Sequence, residues 1–179
     1  MLAYFKSILF PILFLTVGCG TTALNLRSAD NVVDLSEYKS ITIQTSTAQG
    51  VTVPEPAQSR MKALIKAEIL NCCKERFENI SLGDPGVKDL LLNVKFTIYE
   101  EGNRFARFVL AGLGSMQLHA EVEIKDAASG RLIYGGDAGK TFGWGGIYGA
   151  ATGMDDLENG LAKEIITGLR TRRILPPSN

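Results

Sequence analysis

The stretch that decides the fold is DLLLNVKFTIYEE, residues 89–101. Its apolar residues recur at every second position, and polar residues stand between most of them: Leu90, Leu92, Val94, Phe96 and Ile98 alternate with Asn93, Lys95 and Thr97. Successive side chains of a β-strand point to opposite faces, so this pattern predicts a strand with one buried face. The polar face indicates an antiparallel sheet that is wet on one side.

Three more strands are predicted around this one. Residues 116–126 repeat the alternation, from Met116 to Ile124 on the apolar face. Asp126–Gly130 reads as a hairpin loop, and Arg131–Thr141 as the returning strand. Tyr38–Thr47, with its alternating isoleucines, is the first strand of the chain.

Two amphipathic helices complete the pattern. One covers about Pro56–Phe77 and the other about Asp155–Arg172, because apolar residues recur in both at helical spacing. The order β-α-β-β-β-α predicts an α+β fold: a single mixed or antiparallel four-stranded sheet with two helices on one face. We expect a common core from nine of these residues: Leu92, Val94, Phe96, Leu118, Val122, Ile124, Leu157, Leu161 and Ile165.

The first 18 residues have the pattern of a signal peptide. Lys6 precedes an apolar run over residues 7–17, and small Gly18 stands before Cys19. A membrane span needs about 20 apolar residues, and this run is shorter and contains Pro11. The segment resembles the lipobox of bacterial lipoproteins, although Thr16 stands where that pattern expects leucine. The resemblance implies that Cys19 becomes the first mature residue and carries lipid such as palmitate; a secreted protein with an incidental cysteine is the alternative.

The rest of the chain divides simply. Residues 19–36 are weakly patterned and are predicted to be a lipid-anchored tether, and residues 37–179 a single α+β domain. Cleavage removes Lys6 and leaves 18 basic against 19 acidic residues, a net charge of −1. A near-neutral chain has no electrostatic footprint for nucleic acid.

Nothing in the sequence predicts an enzyme, a metal site or a cofactor. His119 is the only histidine, and it falls on the polar face of a strand. A lone imidazole without convergent partners does not make a metal or catalytic site. Adjacent Cys72 and Cys73 would point about 100° apart on a helix. They read as two small apolar side chains rather than a redox or metal pair.

The candidate binding patch comes from two apolar segments. Residues 104–113 contain a phenylalanine-rich run, and residues 142–153 hold five glycines and read as a Gly-rich surface loop. An antiparallel meander brings both segments to one end of the sheet, where large apolar side chains would form a patch. The patch residues are Arg104, Phe105, Arg107, Phe108, Trp144 and Tyr148, with the arginines expected at its rim.

Residues 102–130 resemble the bacterial lipoprotein family catalogued as domain of unknown function 4410. The likeness rests on Gly102-Asn103-Arg104, Arg107, Gly112, Gly114 and the Asp126–Gly130 turn. It implies the fold and the envelope address but brings no established activity.

Together these features predict a non-enzymatic envelope lipoprotein. It would act as a binding or assembly module at the periplasmic face of the outer membrane. In the sorting pattern of bacterial lipoproteins, an aspartate after the lipidated cysteine implies retention in the inner membrane, and here Gly20 follows Cys19. The expected partners are the membrane, through the lipid, and an envelope protein or further copies of the chain. The alternative is a lipid or small-ligand carrier with a pocket between sheet and helices.

Overall fold

A computed structural model describes residues 20–22, 24, 26–28, 35–86, 89–109, 113–143 and 146–175; the side chains of residues 20–22, 146, 148 and 149 are outside the description. The strands are β1 (Gly20–Thr22), β2 (Arg27–Ser28), β3 (Ser40–Thr47), β4 (Asn79–Ser81), β5 (Asp89–Glu100), β6 (Met116–Asp126) and β7 (Leu132–Phe142). The helices are α1 (Glu55–Cys73), α2 (Arg104–Val109), α3 (Gly146–Ala151) and α4 (Met154–Thr171).

The described strands form one mixed sheet in the order β1-β7-β6-β5-β3-β4, and β2 also pairs with β7. β3 runs parallel to both β4 and β5, while the other pairs are antiparallel. The predicted four-stranded sheet is therefore wrong: β3, β5, β6 and β7 are joined by three short strands. Those three have only two or three residues each, which is too few to show an alternating pattern.

The core lies between the sheet and the two long helices. α1 and α4 pack against each other, α1 also contacts β3, and α4 contacts β6 and β7, so both helices cover one face. The nine residues predicted to form the core are all buried, which confirms the assignment of faces. Every described helix is too short or too polar to cross a membrane.

The two short helices lie at one end of the sheet. α2 connects β5 to β6, and α3 follows β7. The expected Gly-rich loop over residues 142–153 is corrected in part, because residues 146–151 are helical. α3 packs against α2, and this tertiary contact outweighs the low helix propensity of its glycines.

The two cysteines at the end of α1 also differ from the prediction. Cys72 and Cys73 are joined in a disulfide between adjacent residues, where two reduced apolar side chains were expected. Both cysteines belong to the last turn of α1, where the 100° separation of neighbouring side chains does not prevent the bond. Cys73 remains part of the core.

Candidate functional site

The predicted patch residues fall on α2, on α3 and outside the described ranges. Arg104, Phe105, Arg107 and Phe108 all belong to α2. Tyr148 belongs to α3, and its side chain is not described. Trp144 and Cys19 lie outside the described residues.

A tight backbone closure positions α2. Asn103 accepts a hydrogen bond from the Ala106 N–H through Oδ1 at 3.0 Å, and its own N–H donates to the Gly114 carbonyl at 3.1 Å. Gly102 and Gly114 both have a positive φ, and a Cβ on Gly102 would lie 2.3 Å from the Gly114 oxygen. Only glycine tolerates such an approach in that conformation, so the two glycines let the backbone before α2 and the backbone before β6 come into contact.

Arg107 lies beneath the surface rather than at its rim. Its side chain is fully buried and donates to the carbonyls of Glu101 at 3.0 Å, Gly114 at 2.9 Å and Thr152 at 3.5 Å. Burial, with a smaller effect from nearby Arg104, lowers the pKa of its guanidinium. Glu101 and Gly114 are the two ends of the segment that contains α2, and Thr152 lies between α3 and α4. The Arg107 side chain therefore connects all three places. Arg107 is thus a structural anchor for the end of the sheet.

Large apolar side chains are exposed around α2 and α3. Among the described residues, six large hydrophobics are exposed, and five of them lie on α2, on the loop after it or on α3. The exposed fractions are Phe105 75%, Phe108 52%, Val109 53%, Leu113 57% and Ile147 81%. We call these five residues the apolar end surface.

The chain after Cys19 begins at the same end of the sheet. Gly20 pairs with Thr141, which pairs with Gln117, which in turn pairs with Glu100. These four residues form one row across β1, β7, β6 and β5. Just beyond this row, β5 leads into α2 and β7 leads into α3.

The N-terminal segment is docked on the domain in its described part. Leu24 donates its N–H to Glu164 Oε1 at 3.2 Å. Its side chain packs directly against Gly168 of α4, so closely that an added Cβ on that glycine would lie 2.7 Å from Leu24 Cδ2. Leu26 is 1% exposed. An extended tether therefore does not describe residues 20–22, 24 and 26–28. Sequence reasoning missed this segment, although Leu24 and Leu26 are its apolar signal.

A buried carboxylate lies beside the apolar end surface. Glu158 is fully buried and accepts two hydrogen bonds from Arg60, both at 2.9 Å, and one from the Tyr99 hydroxyl at 2.9 Å. Desolvation, reinforced by the bond to Glu158, raises the pKa of Tyr99. Both carboxylate oxygens are occupied, so this network joins α1, β5 and α4 and does not offer a free general base.

An open cavity of about 540 Å³ adjoins this network. Its lining includes the opposed charges of Arg60, Glu101, Arg104 and Asp155, together with Tyr99 and two methionines. The cavity lies at the end of the sheet, where the end of β5 and the starts of α2, β6 and α4 meet Arg60 of α1.

The polar face of the sheet carries paired charges. Lys95 bonds Glu121 at 3.0 Å, and Lys125 bonds Glu123 at 2.7 Å, which lowers the pKa of Glu123. The His119 ring packs against Gly139 of β7, where an added Cβ would lie 2.6 Å from Nδ1 of the ring. Among the described residues, no three His, Cys, Asp or Glu side chains are grouped so as to hold a metal ion.

Solved structures share this fold at low sequence identity. The PelC dodecamer from Paraburkholderia phytofirmans is 12% identical, with a TM-score of 0.51 over 84% of this chain and 97% of that one. A substituted form of that protein in another crystal form gives 12% and 0.50 over the same shares. Lipoprotein GNA1162 from Neisseria meningitidis is 12% identical over 76% and 98% of the chains, with a lower TM-score of 0.43.

No curated protein is similar enough to the chain to count as a match. The model of the family described as domain of unknown function (DUF4410) matches residues 29–146, more than half of the chain. This match confirms the resemblance found in the sequence. The chain belongs to the DUF4410 family.

Proposed function

We propose that this chain is a non-enzymatic envelope lipoprotein whose domain acts as a binding module. Lipid on Cys19 would hold it at the periplasmic face of the outer membrane. The signal-like residues 1–18 and the lipobox-like Gly18-Cys19 support the anchor. The observation that carries the binding role is the apolar end surface.

The apolar end surface is unusual in both size and position. Single exposed hydrophobic residues are normal, but a cluster of large ones marks an interaction site. Here five of the six in the described residues share one end of the sheet. Exposed Arg104 lies on the same helix, and aromatic residues with arginine are the types enriched at binding hot spots. Trp144 and Tyr148 extend the proposed patch along the chain.

The chemistry of the described residues supports binding more than catalysis. The buried Glu158 is fully engaged by Arg60 and Tyr99, and the carboxylates of the polar sheet face pair with lysines. A hydrolase needs titratable groups that converge on one point with a free base. The described clusters do not supply that arrangement.

The carrier alternative receives less support. An acyl chain needs a mostly apolar pocket. The cavity next to Arg60 has a mixed lining, in which Glu101, Arg104 and Asp155 stand beside Met116 and Met154. The space between the helices and the sheet is filled by fully buried side chains such as Phe96 and Leu161.

The assembly that we propose for this chain is association with further copies of itself. The PelC structures with this fold are dodecamers. In this chain only residues 40–42 of β3 pair with β4, so residues 43–47 form an edge of the described sheet. A strand edge is a template for pairing with a second chain. Mass photometry of the full acylated chain in detergent should give a multiple of the monomer mass, and a monomer at all concentrations would contradict self-association.

The anchor is tested by metabolic labelling with palmitate. Cys19→Ser should abolish labelling and leave unprocessed precursor. The double variant Cys72→Ser/Cys73→Ser is the matched control, because it removes the other two cysteines and should label like the wild type. Separation of inner and outer membranes on a density gradient should place the labelled protein in the outer membrane. Equal labelling of wild type and Cys19→Ser would overturn the lipoprotein proposal.

A further inference from the structure

We propose that the apolar end surface lies in the acyl-chain region of the same membrane leaflet that holds the Cys19 lipid. The partner of this surface is then the lipid leaflet itself. This inference rests on the proposed function, since it requires an acylated Cys19. It goes further by fixing which end of the domain faces the bilayer.

The first step is the direction of β1. β1 runs antiparallel to β7, and its first residue, Gly20, pairs with Thr141 near the end of β7. β1 therefore starts at the end of the sheet at which β7 ends, the end that carries α3. Gly20 directly follows Cys19 in the sequence, so a lipid on Cys19 would be attached one residue before this end of the sheet.

The second step is that the segment that follows Cys19 is held against the domain. A free tether of 17 residues would reach on the order of 60 Å and let the domain turn in any direction. Instead β1 is paired, Leu24 packs against α4 beside Gly168, and Leu26 is buried. The lipid is thus attached to a docked strand, and the end of the sheet with α2 and α3 must lie near the bilayer.

The third step is the chemistry of the two ends of the sheet. The end near Gly20 exposes the five large apolar side chains of the apolar end surface, with Arg104 beside them. Short amphipathic helices with phenylalanine on the apolar face bury that face about 5–10 Å into the boundary between headgroups and acyl chains. The opposite end of β6 and β7 is the polar turn that contains Asp126 and Ser129. This asymmetry matches a domain that rests on a membrane by one end.

The test measures the depth of a fluorophore in the full acylated chain. A thiol-reactive fluorophore is placed by Phe108→Cys, and independently by Ile147→Cys in case the first variant is poorly folded. The matched control is Ala128→Cys, an exposed position in the turn at the opposite end. The protein is reconstituted in vesicles of phosphatidylethanolamine and phosphatidylglycerol that contain a phospholipid with a nitroxide on acyl carbon 5. Iodide serves as the aqueous quencher.

We expect the nitroxide lipid to quench the labels at positions 108 and 147 at least threefold more than the label at 128, and iodide to show the opposite order. Equal lipid quenching at the two ends would overturn the inference. Shielding of positions 108 and 147 from both quenchers would also overturn it, because a protein and not lipid would then cover the surface. Mass spectrometry of the N-terminal peptide separates the two proposals. An acylated Cys19 with equal quenching would contradict only the proposed orientation of the domain. An unmodified Cys19 would contradict both the orientation and the proposed lipid anchor.

Discussion

Gly20 is the antiparallel partner of Thr141, and this pairing puts the residue after Cys19 two strands away from Gln117 and three strands away from Glu100. The pairing matters because β5 and β7 lead into α2 and α3 just beyond that row. The proposed anchor and the apolar end surface therefore belong to the same end of one sheet.

The docking of the N-terminal segment depends on the absence of a side chain at Gly168. A Cβ there would approach Leu24 to 2.7 Å at Cδ2 and 2.8 Å at Cγ, so Gly168→Ala should displace Leu24. We expect amide hydrogen exchange at residues 24–28 to accelerate at least tenfold, since local opening sets that rate. Gly160→Ala on the same helix is the control, because it meets only the flexible Lys140 side chain at 3.3 Å. Equal exchange in both variants would show that Leu24 does not dock here.

Arg107 should be required for the structure of the end of the sheet. Arg107→Ala removes the guanidinium donor from three carbonyl groups, of which that of Gly114 keeps the Asn103 N–H, and we expect a loss of about 2–4 kcal/mol in the free energy of unfolding. Arg107→Lys should recover little, because an ammonium group cannot reproduce the fork of the guanidinium. Urea unfolding of the three proteins measures this. The neighbouring Arg104→Ala is the control, since Arg104 is exposed. Similar losses for both alanine variants would contradict an anchoring role for Arg107.

The apolar end surface should contribute little to the stability of the domain. Phe105 is 75% exposed, so Phe105→Ser should change the free energy of unfolding by less than about 0.5 kcal/mol. Phe96 is fully buried, and Phe96→Ala should cost about 3–5 kcal/mol. Thermal and urea unfolding distinguish the two. A loss of several kcal/mol at Phe105 would make the cluster a satellite core and not a binding surface.

Asp126 gives the turn opposite the apolar end surface a pH dependence. The Ser129 hydroxyl and N–H and the Tyr38 hydroxyl all donate to its carboxylate, which lowers the pKa of Asp126 from 3.8 to about 2. A depressed folded-state pKa stabilises the protein above the unfolded pKa, and this stabilisation is lost as the pH falls from about 4 to 2. Because the side chain is partly exposed, we expect only about 1 kcal/mol.

The variant Asp126→Asn checks this dependence. Its deficit in unfolding free energy relative to wild type should be full at pH 5.5 and smaller at pH 2.5. A deficit that stays constant between those two pH values would show that ionisation of Asp126 does not stabilise the turn.

The predictable part of the fold is the part with long periodic segments. β5 and β6 alternate over 12 and 11 residues, and α4 repeats its apolar stripe over 18 residues, so local pattern determines their type and buried face. β1 and β4 have three residues each and are defined by the neighbours they pair with. That pairing is a tertiary property, which no local period records.

The candidate site was predictable in composition but not in arrangement. The exposed phenylalanines of α2 follow from the unusual apolar run between two strands. Arg107 was expected at the rim, because charged side chains are rarely fully buried. Its burial depends on three carbonyl groups that come from separate parts of the chain. The docking of Leu24 depends in the same way on a distant glycine of α4, Gly168.

The most direct test of the account is a pair of distances in the full acylated chain, measured between spin labels by pulsed electron spin resonance. One label is placed by Thr21→Cys in β1, and the second by Ile147→Cys in α3 or by Ala128→Cys in the opposite turn. The account predicts two narrow distributions, with the 21–147 distance clearly shorter than the 21–128 distance, which spans most of β7 at about 3.3 Å per residue. Two broad distributions with similar means would show a free tether and contradict a fixed position of β1 at the apolar end of the sheet.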